Sequence, residues 1–407
     1  MIRRLLFTGI PCRSGFAARM LALLVGLTAS GAAVEPTILR EPNPRLQYDD
    51  LAKLASRESP EELSCDVVPN KPGLGFDLRF HFDYRAVVPI KALVVAGGWL
   101  QVGMRVSSAL QNQQPVYFAH RLAIPHVPVG NKGNVTVAGG FNLGPGRYRV
   151  DWIMRDARER VCTAHWDLEA KAATGKQDLP LTLGPNEIVE PNGEASATGA
   201  PVKWDFARPL QIKVLLNLSP ERPQESLVRP EDAAVLFAIL RGIAGQPGIV
   251  LSTVVAFNLR DQKIVYRQEN AERIDFHALE KATQSRTSGT IDVSLLRDPQ
   301  SETHFVTRLL TDELGAQADS ADAIVIVGPK VLLDRNIPRN SLKAKGSAIC
   351  PVFYLNYTAN PLEPWPDTIG SALKAYKGAA VYNILFPRDL GLAMRELLSL
   401  INKRSNS

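Results

Sequence analysis

The residues able to do chemistry are few. Cys65 and Cys162 stand near the two ends of one stretch of alternating apolar and polar residues. That makes them the natural disulfide pair in an oxidising compartment. Cys350 opens the apolar run CPVFYLNY and is expected to be a buried thiol. His81, His120, His126, His165, His277 and His304 include no i, i+4 pair of the kind that holds zinc on a helix. No G-x-S-x-G elbow, C-x-x-C pair or P-loop occurs. A Ser-His-Asp triad gathered from distant positions is a matter of geometry that spacing does not decide. Two polar stretches remain. In QIKVLLNLSPE, Gln211 to Glu221, an apolar run stops abruptly at Asn217, Ser219 and Glu221. In PKVLLDRNIPRNSLKAKGS, Lys330, Arg335, Arg339, Lys343 and Lys345 oppose Asp334 alone, a local charge of +4. Such a segment suits an acidic protein face or an acidic glycan, acting mainly through the on-rate.

These residues must be positioned by several distinct regions. Residues 1–33 have a basic start with Arg3, Arg4, Arg13 and Arg19, an apolar core from Met20 to Leu27, and then Ser30, Gly31, Ala32 and Ala33. That is the layout of a cleaved signal peptide. The apolar core is too short to span a bilayer, and no later run reaches spanning length. Cys12 precedes the core, so it is badly placed for lipid attachment. Cleavage lowers Lys plus Arg from 47 to 43 against 41 acidic residues, leaving +2 rather than the +6 of the whole chain. That charge does not favour nucleic acid. The mature chain is expected to be secreted or periplasmic, without a transmembrane segment.

Residues 34–61 are polar and Pro-rich, a spacer with one short helix near Tyr48–Ser56. Residues 62–170 carry short alternating runs separated by turn residues, the pattern of a β-sandwich domain. Phe141 to Ile153 is expected to be a hairpin turning at Leu143–Gly146, with Tyr148, Val150 and Trp152 facing the core. Residues 171–208 are rich in Ala, Gly, Thr, Pro and Asn and are expected to be a linker, with DLPLTL able to dock as an edge segment. Residues 209–403 alternate apolar strands with helices. Strands that are apolar on both faces, joined by helices, predict an α/β domain with a doubly wound, mostly parallel sheet.

That element order, with a hairpin after the first helix, resembles a von Willebrand factor A-like domain. With the leader and the sandwich, the chain looks like the von Willebrand A-related secreted proteins of acidobacteria. The resemblance implies a divalent-ion site at the carboxyl end of the first strand. The family holds the ion with Asp-x-Ser-x-Ser, a loop Thr and an Asp after the fourth strand. In this sequence Asn217 replaces the first Asp, Ser219 matches, and Glu221 takes the last Ser position. Thr287 or Thr290 is in place for the loop Thr, and Gly328 stands where an acid is usual. A hard cation such as Mg²⁺ needs anionic oxygens to offset its dehydration, so losing two carboxylates points to a remnant without a cofactor.

Two function classes follow. The leading reading is an exported, non-enzymatic binding or scaffold protein whose A-like module is metal-independent, its partner an unidentified protein or acidic glycan. The alternative is an exported hydrolase working at the carboxyl ends of the parallel strands. A pocket gathering Ser219, Glu221 and a histidine would favour the second.

Overall fold

The computed structural model describes residues 63–93, 98–109, 113–124, 133–171, 179–191, 208–221, 225, 228–271, 273–284, 300–315, 321–338, 341–342, 350–358 and 366–405, and a short strand at 37–38. The leader, nearly all of the 34–61 spacer and its expected helix, and Thr287, Thr290, Arg339, Lys343 and Lys345 lie outside the described residues.

The N-terminal half contains the strands β1 (Thr37–Ile38), β2 (Asp66–Pro69), β3 (Gly73–Leu74), β4 (Phe80–Pro89), β5 (Gly98–Ser108), β6 (Val116–Ile124), β7 (Asn134–Leu143), β8 (Gly146–Asp156), β9 (Val161–Ala170) and β10 (Ile188–Val189), with a one-turn helix α1 (Ile90–Leu93) after β4. They form two antiparallel sheets, ordered β1-β6-β5-β8-β9 and β10-β7-β4-β2, with β3 on β4. One core lies between them. Phe80, Phe82, Tyr84 and Phe141 from one sheet meet Val102, Met104, Phe118 and Trp152 from the other. The period of two does this: β4 alternates buried and exposed residues along most of its length. Cys65, just before β2, bonds Cys162 in β9 with Cα atoms 6.3 Å apart, tying one sheet to the other. Cys350 takes no part in that disulfide and is half-buried rather than buried, its thiol donating to the Ala321 carbonyl at 3.5 Å.

Tyr148, Val150 and Trp152 face the core as their alternation requires. The expected hairpin does not form, because β7 and β8 belong to different sheets. Leu143–Gly146 is a corner between sheets. The Tyr148 hydroxyl donates to the Gly144 carbonyl at 2.8 Å and clamps the corner. Gly144 has no room for a side chain, since a Cβ would sit 1.8 Å from the Gly184 carbonyl oxygen.

The C-terminal half runs β11 (Leu210–Asn217), α2 (Pro230–Ala244), β12 (Ile249–Asn258), β13 (Lys263–Glu269), α3 (Phe276–Gln284), α4 (Ser301–Leu314), β14 (Ala323–Pro329), β15 (Val352–Tyr357), α5 (Thr368–Leu373), β16 (Ala379–Ile384) and α6 (Pro387–Ser405). The sheet order is β13-β12-β11-β14-β15-β16; only the edge pair β12–β13 is antiparallel. Val214, Val254, Val325 and Phe353 point to one face, where residues of α2 and α6 cover them. Leu215, Val255, Ile324 and Tyr354 point to the other, against α4 and α5. Helices on both faces explain why these strands are apolar throughout. Pro230 opens α2 with Glu231 and Asp232 in its first turn, both favourable at a helix N-terminus.

Part of the segment expected to link the halves is packed instead. β10 extends the sandwich on β7. Thr182 is buried, its hydroxyl donating to the Asp77 carbonyl at 3.0 Å. Gln246, just past α2, donates to the Pro180 carbonyl at 2.9 Å. The sandwich loop before β4 reaches further. Leu78 is fully buried in the core under α2 and α6, and Phe76 meets Tyr357 edge-on at 5.8 Å between ring centroids. The two halves therefore share apolar core.

Candidate binding edge of the parallel sheet

In an open sheet of parallel strands, side chains that meet ligands collect beyond the carboxyl ends, where the strand order reverses. That point falls between β11 and β14. Asn217 ends β11, Gly328 is next to last in β14, and Asn356 and Asn383 hold the same place in β15 and β16. Ladder register sets Gly328 beside Asn356 and Asn356 beside Asn383. An amide row thus crosses the edge, interrupted by glycine.

Asn217 is 1% exposed. Its Oδ1 accepts from the Ser219 backbone N at 3.1 Å and from the Ser219 hydroxyl at 2.6 Å. Ser219 Oγ in turn accepts from the Leu259 backbone N at 2.8 Å. These oxygens hold the loops after β11 and β12 together. Glu221 lies apart from them and accepts from the Thr358 hydroxyl. Gly328 contacts Asn217 directly: a Cβ there would sit 2.5 Å from the Asn217 Cβ. An acid at 328 would meet packed atoms, so this position is a close approach between strands and offers no room for a ligand arm. Among the described residues, no group of three or more His, Cys, Asp and Glu side chains is arranged to hold a metal ion.

Next to this centre, burial has acted on several ionisable groups. Asp367 caps α5 by accepting from the Gly370 N at 3.1 Å, and it accepts from Asn356 Nδ2 at 2.9 Å. Burial raises its pKa, and those hydrogen bonds hold the rise down. Tyr357 is pushed up to about 12, first by burial and then by the nearby Asp232 and Glu221 charges. Asp232 itself is paired with Arg229 by two hydrogen bonds of 2.7 and 3.1 Å.

Of the five basic positions expected to meet a partner, two are described. Lys330 follows β14 and lines a cleft of about 200 Å³ with Asn356, Asp367, Ser371, Lys374 and Asn383. Arg335 lines an adjoining, more open cleft of about 470 Å³ with Leu332, Asp334 and Thr368; Asp367 and Ser371 belong to both. Sequence reasoning missed Lys374, Asp367, Asn356 and Asn383. A usable signal was present: the apolar runs VLLN, FYLN and VYN each end in asparagine.

The histidines described near carboxylates lie in the sandwich. His81 Nε2 is 2.7 Å from Asp77 and His165 Nδ1 is 2.9 Å from Asp151. His120 is buried, and neither ring nitrogen has a hydrogen-bond partner among the described residues. Burial pushes its pKa down to about 4.

No protein-family model matches the sequence, and no curated protein matches it. Among solved structures, a Bacteroides uniformis beta-glucuronidase is 8% identical with a TM-score of 0.19, over 72% of this chain and 36% of that one. A putative beta-galactosidase from Bacteroides fragilis is 11% identical with a TM-score of 0.19, over 73% of this chain and 42% of that one. A Northeast Structural Genomics Consortium target is 11% identical with a TM-score of 0.17, over 30% of this chain and 96% of that one. At these scores the likenesses assign neither fold nor function, and they lend no support to the von Willebrand A resemblance.

Proposed function

We propose that this chain is an exported binding or scaffold protein whose C-terminal module is von Willebrand A-like and works without a divalent ion. The leader-like N-terminus and the Cys65–Cys162 bond support export to an oxidising compartment. The sheet order and its antiparallel edge hairpin support the A-like reading. Among the described residues no helix is long and apolar enough to cross a membrane.

The observation that carries metal independence is the bonding of Asn217. Its side-chain oxygen and the Ser219 hydroxyl satisfy one another and the Leu259 amide, in a pocket where Gly328 leaves no space for a further carboxylate. Neutral oxygens already used in this way offset little of the dehydration cost of Mg²⁺. The hydrolase reading loses its motive for the same reason. Ser219 is held by Asn217 and Leu259, and Glu221 is turned to Thr358. The binding surface is then the polar, basic rim around Lys330 and Arg335.

Capture of envelope components by the chain from Val34 onward tests this. Partners retained in EDTA, and lost when Lys330 and Arg335 are both changed to Glu, support the reading. Capture that requires added Mg²⁺ and ignores the double reversal overturns it.

A further inference from the structure

We propose that the cleft bounded by Lys330, Asn356, Ser371, Lys374 and Asn383 binds a carboxylated sugar, a uronic-acid residue of an acidic glycan. This rests on the binding-protein reading above and names the ligand class for that edge. The cleft opens where β14, β15 and β16 end against α5.

Its lining carries two lysines and one aspartate. Lys330 comes from the end of β14 and Lys374 directly follows α5, and neither has an ion-pair partner among the described residues. Asp367 is the acid in the lining. It is occupied by the Gly370 amide and Asn356, with the Tyr354 hydroxyl at 3.4 Å. Those three donors are neutral, and no ion pair joins either lysine to Asp367. Two lysines lining one small space favour a carboxylate or another anion.

The rest of the wall selects what carries that anion. Asn356 lines the cleft, is 2% exposed, and its Oδ1 has no hydrogen-bond partner among the described residues. A buried amide oxygen left unpaired is costly, so a ligand hydroxyl at that point would regain the loss. Asn383 and Ser371 are exposed and bring an amide and a hydroxyl. Val381 is the one apolar side chain in the lining. Such a wall matches a polyhydroxylated acid and gives an aliphatic or aromatic acid little to pack on.

Size and continuation agree. About 200 Å³ is below the range of about 300–1,000 Å³ typical of sites for drug-sized ligands, so one small residue fits. Past Ser371 the larger open cleft begins, with Arg335 as its cation. A second acidic sugar in the same chain would lie there, and linking the two would raise affinity through effective concentration.

Titration calorimetry at low salt, using the chain from Val34 to Ser407, tests the proposal with D-glucuronate, digalacturonate, D-glucose, N-acetylglutamate and inorganic phosphate. Glucuronate should bind, glucose and N-acetylglutamate should each bind at least about tenfold more weakly, and digalacturonate should bind more tightly than glucuronate. Lys330→Gln with Lys374→Gln should remove uronate binding while leaving the melting temperature in place. Asn383→Ala should weaken it with the lysines intact. Equal binding of glucuronate and glucose, or unchanged uronate binding in the double variant, would overturn the proposal. N-acetylglutamate or phosphate binding as well as glucuronate would overturn the sugar-acid class. Loss of this ligand class with EDTA-resistant capture intact would leave the binding role standing.

Discussion

Asn217 and Gly328 occupy one small space, and that contact decides what either position can become. Adding a methyl at Gly328 drives a Cβ to 2.5 Å from the Asn217 Cβ, so backbone or loop must shift. Gly328→Ala should therefore cost about 1–3 kcal/mol, measured by urea unfolding, and Gly328→Asp should cost no less. Asn217→Asp with Gly328→Asp is expected not to rebuild an ion site, read as an unfolding midpoint that added Mg²⁺ leaves unchanged. His120 makes a second prediction. Well above pH 6.5 the ring is neutral in both the folded and the unfolded chain. As pH falls toward about 4 the unfolded chain takes up a proton that the buried ring refuses, so stability falls through that window. The loss at His120 should total about 3 kcal/mol and be absent in His120→Leu, read from unfolding midpoints between pH 7 and pH 4. From sequence His120 was one histidine among six; its isolation became visible only when its strand was placed against the opposite sheet.

Strands and helices carry their own lesson. Runs such as AIVIV and FYL, apolar at consecutive positions, made a helix-covered sheet legible, because only strands buried on both faces need them. The corner at Leu143–Gly146 was not legible. Alternation fixes which side chains face inward, and it is the same for a hairpin as for a chain crossing between sheets. Composition marked residues 171–208 as a linker with DLPLTL able to dock, and so missed the strand at Ile188–Val189. Gly, Pro and Thr mark irregular backbone, yet Leu179, Leu181 and Leu183 alternate, and Leu183 is buried. The cysteine pair was legible from position alone. Because Cys65–Cys162 closes a loop of 97 residues across both sheets, Cys65→Ser with Cys162→Ser should lower stability by about 4–5 kcal/mol in the chain-entropy model. Chemical denaturation of the double variant against the oxidised parent checks this.

At the scale of the whole molecule, the sandwich and the α/β half are joined by core and not by a tether. Leu78 from the sandwich lies within the apolar layer under α2 and α6. Gly242 in α2 lets the Phe76 carbonyl approach, a Cβ there lying 3.0 Å from that oxygen. The chain from Val34 onward should accordingly unfold in one transition, with tryptophan fluorescence and far-UV dichroism coincident. Two resolved transitions would show halves that fold independently. The central claim is that the carboxyl edge of the parallel sheet binds without a divalent ion, the Asn217 and Ser219 side-chain oxygens being committed to the loops they hold. The direct measurement is thermal unfolding of the same chain in EDTA and then in millimolar Mg²⁺ or Mn²⁺. An unchanged midpoint is the expected result, since an ion bound only by the native state would raise it by mass action. A rise specific to one of these ions, and abolished by Asn217→Ala, would contradict the account.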